Sequence, residues 1–494
     1  MPATSVEAAL PPALDVLIIG AGFAGLAMGR QLKQAGLSAF AIVDRADGVG
    51  GVWRANHYPG AACDVPSHLY SYSFFLNPDW SRKFSPQSEI LAYLERAADA
   101  FGLREHLAFA RTVEAMQFVA ETGRWRVRFA DGAELMARAV ISAVGQLSEP
   151  FTPDVDGLET FNGPVLHSAD WDDGIKFSGK RVAVIGNAAS AVQLLPKLTA
   201  ESEHLTVLAR TPNWVIPKPD RAFLRIERWA FRHIPGWHRL YRTLSYLIHE
   251  LRYPAFVSRS LASAYTHWRL KTLIRKAVKD EKLRAQLTPD YAPGCKRILL
   301  SNDYLQLMQR GDVRLVSDRL VKVAGNTLMT SSGEEIEADI LVFATGFQTT
   351  DFLPTLQVEN GDGRTLKDAW GANPRAYRGV AVSGFANLFM LYGPNTNLGH
   401  NSIIFMLERQ TEYVSRQINW LLKADLKALS VAPEAEAAFN DVLQARLQRT
   451  VWAEDCPSWY KTEDGVITNN WSGLATAFAM TLRRDDRENW VADV

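Results

Sequence analysis

Two glycine clusters, opening at Gly20 and Gly186, combine residue types and spacings that suit a definite chemistry. Gly20, Gly22 and Gly25 form a GxGxxG pattern, and Asp44 follows Gly20 by 24 residues. In such a pattern the first glycine permits a tight turn, the second lets the backbone approach a pyrophosphate, and the third lets a helix pack closely on a strand. The helix that starts there presents N–H groups and the positive end of its dipole to an anion. An acid at this distance accepts hydrogen bonds from ribose hydroxyls. The second cluster, Gly186-Asn187-Ala188-Ala189-Ser190-Ala191, is followed by Arg210, again 24 residues after its first glycine. A cation in place of the acid suits a 2′-phosphate. The first unit therefore reads as an FAD site and the second as an NADPH site. Ala188 stands where the second glycine belongs. A positive φ would cost alanine about 1–2 kcal/mol, and its methyl faces the approaching pyrophosphate in any case. Weakened NADPH binding is expected, with a lower KM in Ala188→Gly.

Each cluster needs a strand before it and a helix after it. Val16-Leu17-Ile18-Ile19 and Val182-Ala183-Val184-Ile185 are short apolar runs of the kind that buried parallel strands show. Helical stretches follow both, and second strands end at Asp44 and at Leu208. The expected fold class is α/β, with two Rossmann-like dinucleotide-binding domains, one for FAD and one for NADPH, and a helical insertion in the latter. Residues 1–147 are assigned to the first part of the FAD domain and residues 148–345 to the NADPH domain, its helical insert at about 215–290. Residues 346–494 complete the FAD domain and include helices near 403–422 and 434–447.

Lysine plus arginine total 54, as do aspartate plus glutamate, so there is no basic excess of the kind that nucleic-acid binding needs. The cysteines, Cys63, Cys295 and Cys456, form no CxxC pair, and no histidine cluster has zinc-ligand spacing. No metal and a reducing compartment are expected. The N-terminus lacks a basic segment leading into an apolar one, and no run of 18 apolar residues occurs, so the expected location is cytoplasmic, without an integral membrane segment. Seven arginines between 221 and 252 are interspersed with Trp229, Phe231, Trp237, Tyr241 and Tyr246. This stretch is expected to form a helical subdomain packing its aromatic side inward, a membrane-surface helix being the alternative.

Two further segments carry a resemblance. The run from Gly50 and Gly51 through Trp53, Tyr58 and Pro59 to Asp64 resembles the long fingerprint of the type I Baeyer–Villiger monooxygenases at each fixed position. The run Phe161, Gly163, His167, Trp171 and Asp172 resembles that family's second fingerprint. Related flavin-containing and N-hydroxylating monooxygenases carry Phe or Tyr where Trp171 stands, so the match favours the ketone-oxidising branch. The resemblance extends over nearly the whole chain, through Ala143-Val144-Gly145, Gly294-Cys295-Lys296-Arg297, Ala344-Thr345-Gly346 and Tyr392-Gly393-Pro394-Asn395.

The resemblance implies that Arg297 is the catalytic arginine and Asp64 its partner. The chemistry agrees, since a guanidinium stays charged at any working pH and stabilises negative charge developing on an attacked carbonyl oxygen. A carboxylate beside it orients it and keeps a buried charge paired. Gly51, Trp53, Asp64 and Val113 are implied to contact FAD. Lys296 is implied to join Arg210 on the 2′-phosphate, with Ser190, Gln193 and Thr211 completing the NADPH site. Trp459 matches a tryptophan placed against the nicotinamide ribose, or is a core aromatic. His167 follows Pro150, Pro153 and Gly157, where the chain leaves the first domain. It is read as tying that linker to the nicotinamide domain rather than as a general base.

The implied reaction takes hydride from NADPH to FAD, adds O2 to give a peroxyflavin, and inserts one oxygen atom beside a ketone carbonyl, giving an ester or lactone. The implied partners are a small ketone and O2, with no protein partner. Two alternatives stay open: an N- or S-oxidising flavin monooxygenase, and a flavin-dependent NADPH reductase or oxidase.

Overall fold

The structure, a computed structural model, describes residues 10–349, 352–456 and 458–493. Apolar, β-branched runs covered on both faces make the central strands of two sheets. In the first, β1 (Ala13–Ile19) leads through helix α1 (Phe23–Gln34) to β2 (Phe40–Val43), and the two strands pair in parallel with Val16 opposite Phe40. β3 (Leu107–Ala108) extends this sheet beside β2. β4 (Val113–Val119), β5 (Arg124–Phe129) and β6 (Glu134–Ser142) form an antiparallel meander. Their side chains alternate between core and solvent, as in β5, where Trp125, Val127 and Phe129 are buried between exposed or half-exposed arginines. β6 also pairs in parallel with β1, which sets Ala143 against the turn after β1.

The second sheet contains β7 (Val165–His167), β8 (Arg181–Ile185), β9 (His204–Leu208), β10 (Val313–Val316) and β11 (Ile340–Phe343), all parallel, in the order β10-β9-β8-β11-β7. Helix α2 (Ala189–Glu201) joins β8 to β9 as α1 joins β1 to β2. Between β9 and β10 lie α3 (Arg225–His233), α4 (Trp237–Glu250), α5 (Leu261–Ala277) and α6 (Glu281–Leu287), closed at their base where Val215-Ile216 pairs with Leu299-Leu300. The chain then returns to the first sheet, where β12 (Gln357–Glu359) pairs with β4 and β13 (Leu388–Met390) with β6. Helix α7 (Ile403–Lys423) packs on α1, and α8 (Pro433–Leu447) follows it. The outgoing and returning connections run side by side. The Phe151 N–H donates to the Gly346 carbonyl at 2.9 Å and the Gln348 N–H to the Glu149 carbonyl at 2.9 Å.

Two expectations change. In the helical insert Phe231 is buried and Tyr241 and Tyr246 are half-buried, but Trp229 and Trp237 face outward. The covered places on α4 are taken by His238, His249 and Glu250. Cys295 and Cys456 form a disulfide with Cα atoms 6.6 Å apart, at odds with the reducing compartment read from scattered cysteines. The fold brings together residues 161 positions apart, which spacing along the chain does not reveal. Cys63 is the free thiol. Among the described residues no helix is long and apolar enough to cross a membrane.

Candidate active site

The first glycine turn is shaped by close backbone contacts. Gly20 has φ +112°, and a Cβ there would lie 2.5 Å from the Ala143 carbonyl oxygen. A Cβ on Gly25 would lie 1.8 Å from the Gly20 carbonyl oxygen, so only glycine lets α1 approach β1. Gly51 from the long fingerprint packs against Gly22: it has φ +53°, and its Cβ would sit 3.1 Å from the Gly22 Cα. Asp44 is locked by its own neighbours, Oδ2 accepting from the Ala21 N–H at 2.7 Å and Oδ1 from the Ala46 N–H at 2.9 Å. Its remaining lone pairs border the cavity that Gly20, Gly22, Gly51, Trp53 and Val113 also line. No side chain caps the start of α1, which leaves its N-terminal N–H groups for an anion.

The second turn repeats this geometry. Gly186 has φ +108°, and a Cβ there would meet the Ala344 carbonyl oxygen at 2.5 Å. Ala188, the N-cap residue of α2, has φ −78° and ψ −165°, so it carries no left-handed strain, and that reason for weak NADPH binding falls away. No side chain caps α2 either. Beyond β9, the Lys296 Nζ donates to Thr211 Oγ1 at 2.9 Å. Burial, and after it the Arg210 guanidinium, lowers the Lys296 ammonium from its ordinary range. Two neighbouring cations beside a hydroxyl have the chemistry to hold a dianion. Gln193 lies elsewhere. Its Oε1 accepts from the Tyr58 hydroxyl at 2.9 Å and the Ala62 N–H at 3.3 Å, while its Nε2 donates to the Ala62 carbonyl at 3.0 Å and Asp64 Oδ1 at 3.2 Å. Its hydrogen-bonding capacity is used in joining α2 to the long fingerprint, which leaves none for a phosphate. Ser190, one residue into α2, sits beside Tyr58.

A cavity of about 1660 Å³ runs from the first turn to the start of α2, its walls drawn from the first sheet and its turn, α2, the insert and the C-terminal loops. It exceeds the roughly 300–1,000 Å³ that a single drug-sized ligand needs. Within it the Arg297 Nη2 donates to Asp64 Oδ2 at 3.1 Å. The Arg297 side chain is 46 % exposed, towards the cavity, and Asp64 only 10 %. Enclosure works against the charge on Arg297, but the Asp64 carboxylate, with Tyr460, Cys63 and Tyr392 adding to it, holds its pKa above the ordinary value. The group is a permanent cation.

Several residues here escaped the sequence reading. Lys218 places its Nζ 3.5 Å from Asp64 Oδ1, so the carboxylate is shared between two cations. It lies in a Pro-Lys-Pro stretch that carries no motif. Tyr70, Tyr392 and Tyr460 stand around Arg297. Burial pushes Tyr460 up to about 12 and raises the other two further, so all three are neutral phenols at working pH. The Tyr70 hydroxyl accepts from the Trp53 indole at 3.2 Å. Burial also lifts the Cys63 thiol to about 12, which makes it a poor nucleophile. Tyr392 has φ +62°, a conformation held by the Gln146 amide on its carbonyl at 3.0 Å and by its own N–H on Gln410 Oε1 at 3.0 Å.

The second fingerprint makes joints rather than cavity wall. The Trp171 carbonyl contacts the His57 Nε2 at 3.0 Å, linking the two fingerprints, and its ring stacks on Phe177. Gly163 passes so close to Asp339 that a Cβ would lie 2.0 Å from its carbonyl oxygen. Phe161 packs against the second sheet, and the exposed Asp172 accepts from the Gly174 N–H at 2.8 Å. His167 ends β7; its Nδ1 accepts from the Ala169 N–H at 3.0 Å and its Nε2 faces Thr345 Oγ1 at 3.5 Å, between the paired connections. Burial lowers its pKa, countered by hydrogen bonding to Phe151. Trp459 lines the cavity next to Tyr460, three residues from Cys456, so the disulfide holds its segment to the loop that bears Lys296 and Arg297. Among the described residues no cluster of His, Cys, Asp and Glu is placed to hold a metal.

Comparison with known proteins bears on this arrangement. The flavin-binding monooxygenase-like family matches residues 13–357. A Baeyer–Villiger monooxygenase of Streptomyces coelicolor is 44 % identical over 475 residues, covering 95 % of this chain and 91 % of that one. Among solved structures, an oxidised steroid monooxygenase bound to NADP superposes with a TM-score of 0.88 at 31 % identity, over 97 % of this chain and 99 % of that one. Cyclohexanone monooxygenase from Rhodococcus sp. Phi1, bound to NADP⁺, gives 0.87 at 27 % identity, over 98 % and 99 %. With the long fingerprint, the first glycine turn, the start of α2 and the Arg297–Asp64 pair around one cavity, the chain belongs to the flavin-binding monooxygenases, and within them to the Baeyer–Villiger branch.

Proposed function

We propose that this protein is an FAD-containing monooxygenase that uses NADPH and O2 to convert a ketone into an ester or lactone. One atom of O2 enters the bond between the carbonyl carbon and its neighbour, the other leaves as water, and NADPH supplies the two electrons. The single observation that carries the reading is the contact of Arg297 with Asp64 inside a cavity bordered by the first glycine turn and the start of α2. The names of the relatives support it, as do the NADP-bound neighbours.

The residues fit both cofactors. The open start of α1, the Gly22–Gly51 contact and the anchored Asp44 would hold the pyrophosphate and ribose of FAD. The open start of α2, with Arg210, Thr211 and Lys296, would hold NADPH by its pyrophosphate and 2′-phosphate. Bound flavin supplies the two-electron relay between NADPH and O2 and delivers the oxygen atom. The chain does the rest. Arg297 offers fixed positive charge where the carbonyl oxygen becomes negative, Asp64 and Lys218 fix its direction, and the neutral phenols add no competing charge. We assign residues 1–147 and 346–494 to FAD and 148–345 to NADPH, with His167 as a positioning residue at the paired connections.

The test is turnover of a panel of linear, cyclic and aromatic ketones with a thioether, read by mass spectrometry. Ester or lactone from at least one ketone is expected. Sulfoxide as the only product would contradict the reading, as would NADPH consumption yielding only peroxide across the whole panel.

A further inference from the structure

The helical insert carries a feature that the reaction does not use. On α4, Trp237, Leu240, Leu244, Leu247, Ile248 and the adjoining Leu251 recur every three or four residues, and all are exposed. On α5, Leu261, Tyr265 and Trp268 form a second exposed stripe, with Leu261 92 % exposed. Leu244, Ile248, Leu251 and Tyr265 also border the cavity, so both stripes run up to its wall. A ligand filling the cavity would cover only those four. Trp237, Leu240, Leu247, Leu261 and Trp268 lie outside the cavity wall, where a water-facing helix would carry polar residues.

Charge says what covers this face. Residues 221–277 hold twelve Arg and Lys against two acids, Glu227 and Glu250, and the rest of the chain holds 42 basic residues against 52 acidic. A neutral protein has thus concentrated its positive charge on the segment that bears the exposed apolar stripes. Two copies meeting face to face by a two-fold axis would bring basic against basic. A bilayer with anionic headgroups satisfies both features: apolar side chains enter its boundary while Arg239, Arg269, Lys271 and their neighbours meet phosphates.

We infer that the outer face of α4 and α5 is a docking surface for an anionic lipid bilayer, and that the cavity takes lipophilic ketones directly from it. The substrate clause rests on the proposed oxygenation; the docking clause does not. The test is cosedimentation of the FAD-loaded enzyme with vesicles of phosphatidylcholine alone or mixed with phosphatidylglycerol, beside a triple variant Leu240→Glu, Leu247→Glu and Leu261→Glu. The bound fraction is expected to rise by about tenfold or more with phosphatidylglycerol and to fall at about 0.5 M salt. The variant should stay in the supernatant while retaining its flavin and its turnover of a water-soluble ketone. Wild-type protein remaining in the supernatant with the anionic vesicles would overturn the inference. So would sedimentation velocity showing a wild-type dimer that the triple variant dissociates. Neither readout needs turnover, so docking fails or stands apart from the oxygenation chemistry. A ketone that turns over no faster when dissolved in bound vesicles than in vesicles the enzyme does not bind would overturn the substrate clause.

Discussion

In the proposed reaction Arg297 and Asp64 carry the chemistry, and their substitutions separate binding from reaction. Arg297→Ala leaves the FAD contacts untouched and removes the cation, so flavin content should match the wild type while ester formation falls by about a hundredfold or more. Arg297→Lys keeps a charge but loses the planar fork and should fall between the two. Asp64→Ala strands Arg297 and Lys218 beside each other and should cost stability as well as turnover, read as a lower unfolding midpoint together with a lower ester yield. At this scale the sequence was legible wherever a residue sat in a motif. Arg297 lies against Asp64, and Lys296 near Arg210, in the pairs the family resemblance implied. Lys218 had no motif around it, and Gln193 was assigned to the NADPH site with the resemblance as a hydrogen-bonding residue, whereas the fold spends its amide on Tyr58, Ala62 and Asp64.

At the scale of elements, both strand–turn–helix units were legible because their glycines answer to local backbone contacts. Gly51 fills a conformation that alanine adopts only with strain, against Gly22. Gly51→Ala should fold and yet bind FAD about ten- to a hundredfold more weakly, measured by flavin fluorescence titration; stoichiometric FAD after dialysis would contradict the arrangement. The disulfide could not be read in advance, since it depends on the C-terminal segment folding back over the Arg297 loop. Thiol titration in denaturant should find one reactive thiol per chain without reductant, from Cys63, and three after reduction. Three without reductant would show that the protein works with Cys295 and Cys456 free.

For the molecule as a whole, the balance of charges and the burial of histidines set how it responds to its surroundings. His68 Nδ1 lies 2.7 Å from His238 Nε2 where the insert meets the first domain, among Phe223, Phe231 and Tyr241. Burial, reinforced by His238, lowers His68 to about 3; burial, reinforced by Arg242, lowers His238 to about 4. Both groups are neutral when folded and take up protons near pH 6.5 when unfolded. Their contribution is complete above about pH 6.5 and is lost as the pH falls, down to about 4 for His238 and about 3 for His68, at about 1.4 kcal/mol for each unit of depression. Urea midpoints should fall between pH 7 and 4.5, less steeply in a His68→Gln, His238→Gln double variant; equal slopes would contradict this. The insert shows why whole-molecule features stay hidden in a sequence. Its helical, two-faced character was legible, but periodicity does not say which face is covered, and the structure covers the side with His238 and leaves the leucines out.

The most direct measurement is product and cofactor stoichiometry under ¹⁸O2 for the wild type and Arg297→Ala, with a ketone that the wild type accepts. The wild type should place one labelled oxygen in the ester and consume close to one NADPH for each ester formed. Arg297→Ala should keep its flavin and consume NADPH while releasing hydrogen peroxide and no labelled ester. Labelled ester from Arg297→Ala at the wild-type yield, or wild-type ester without label, would contradict the chemistry assigned to this site.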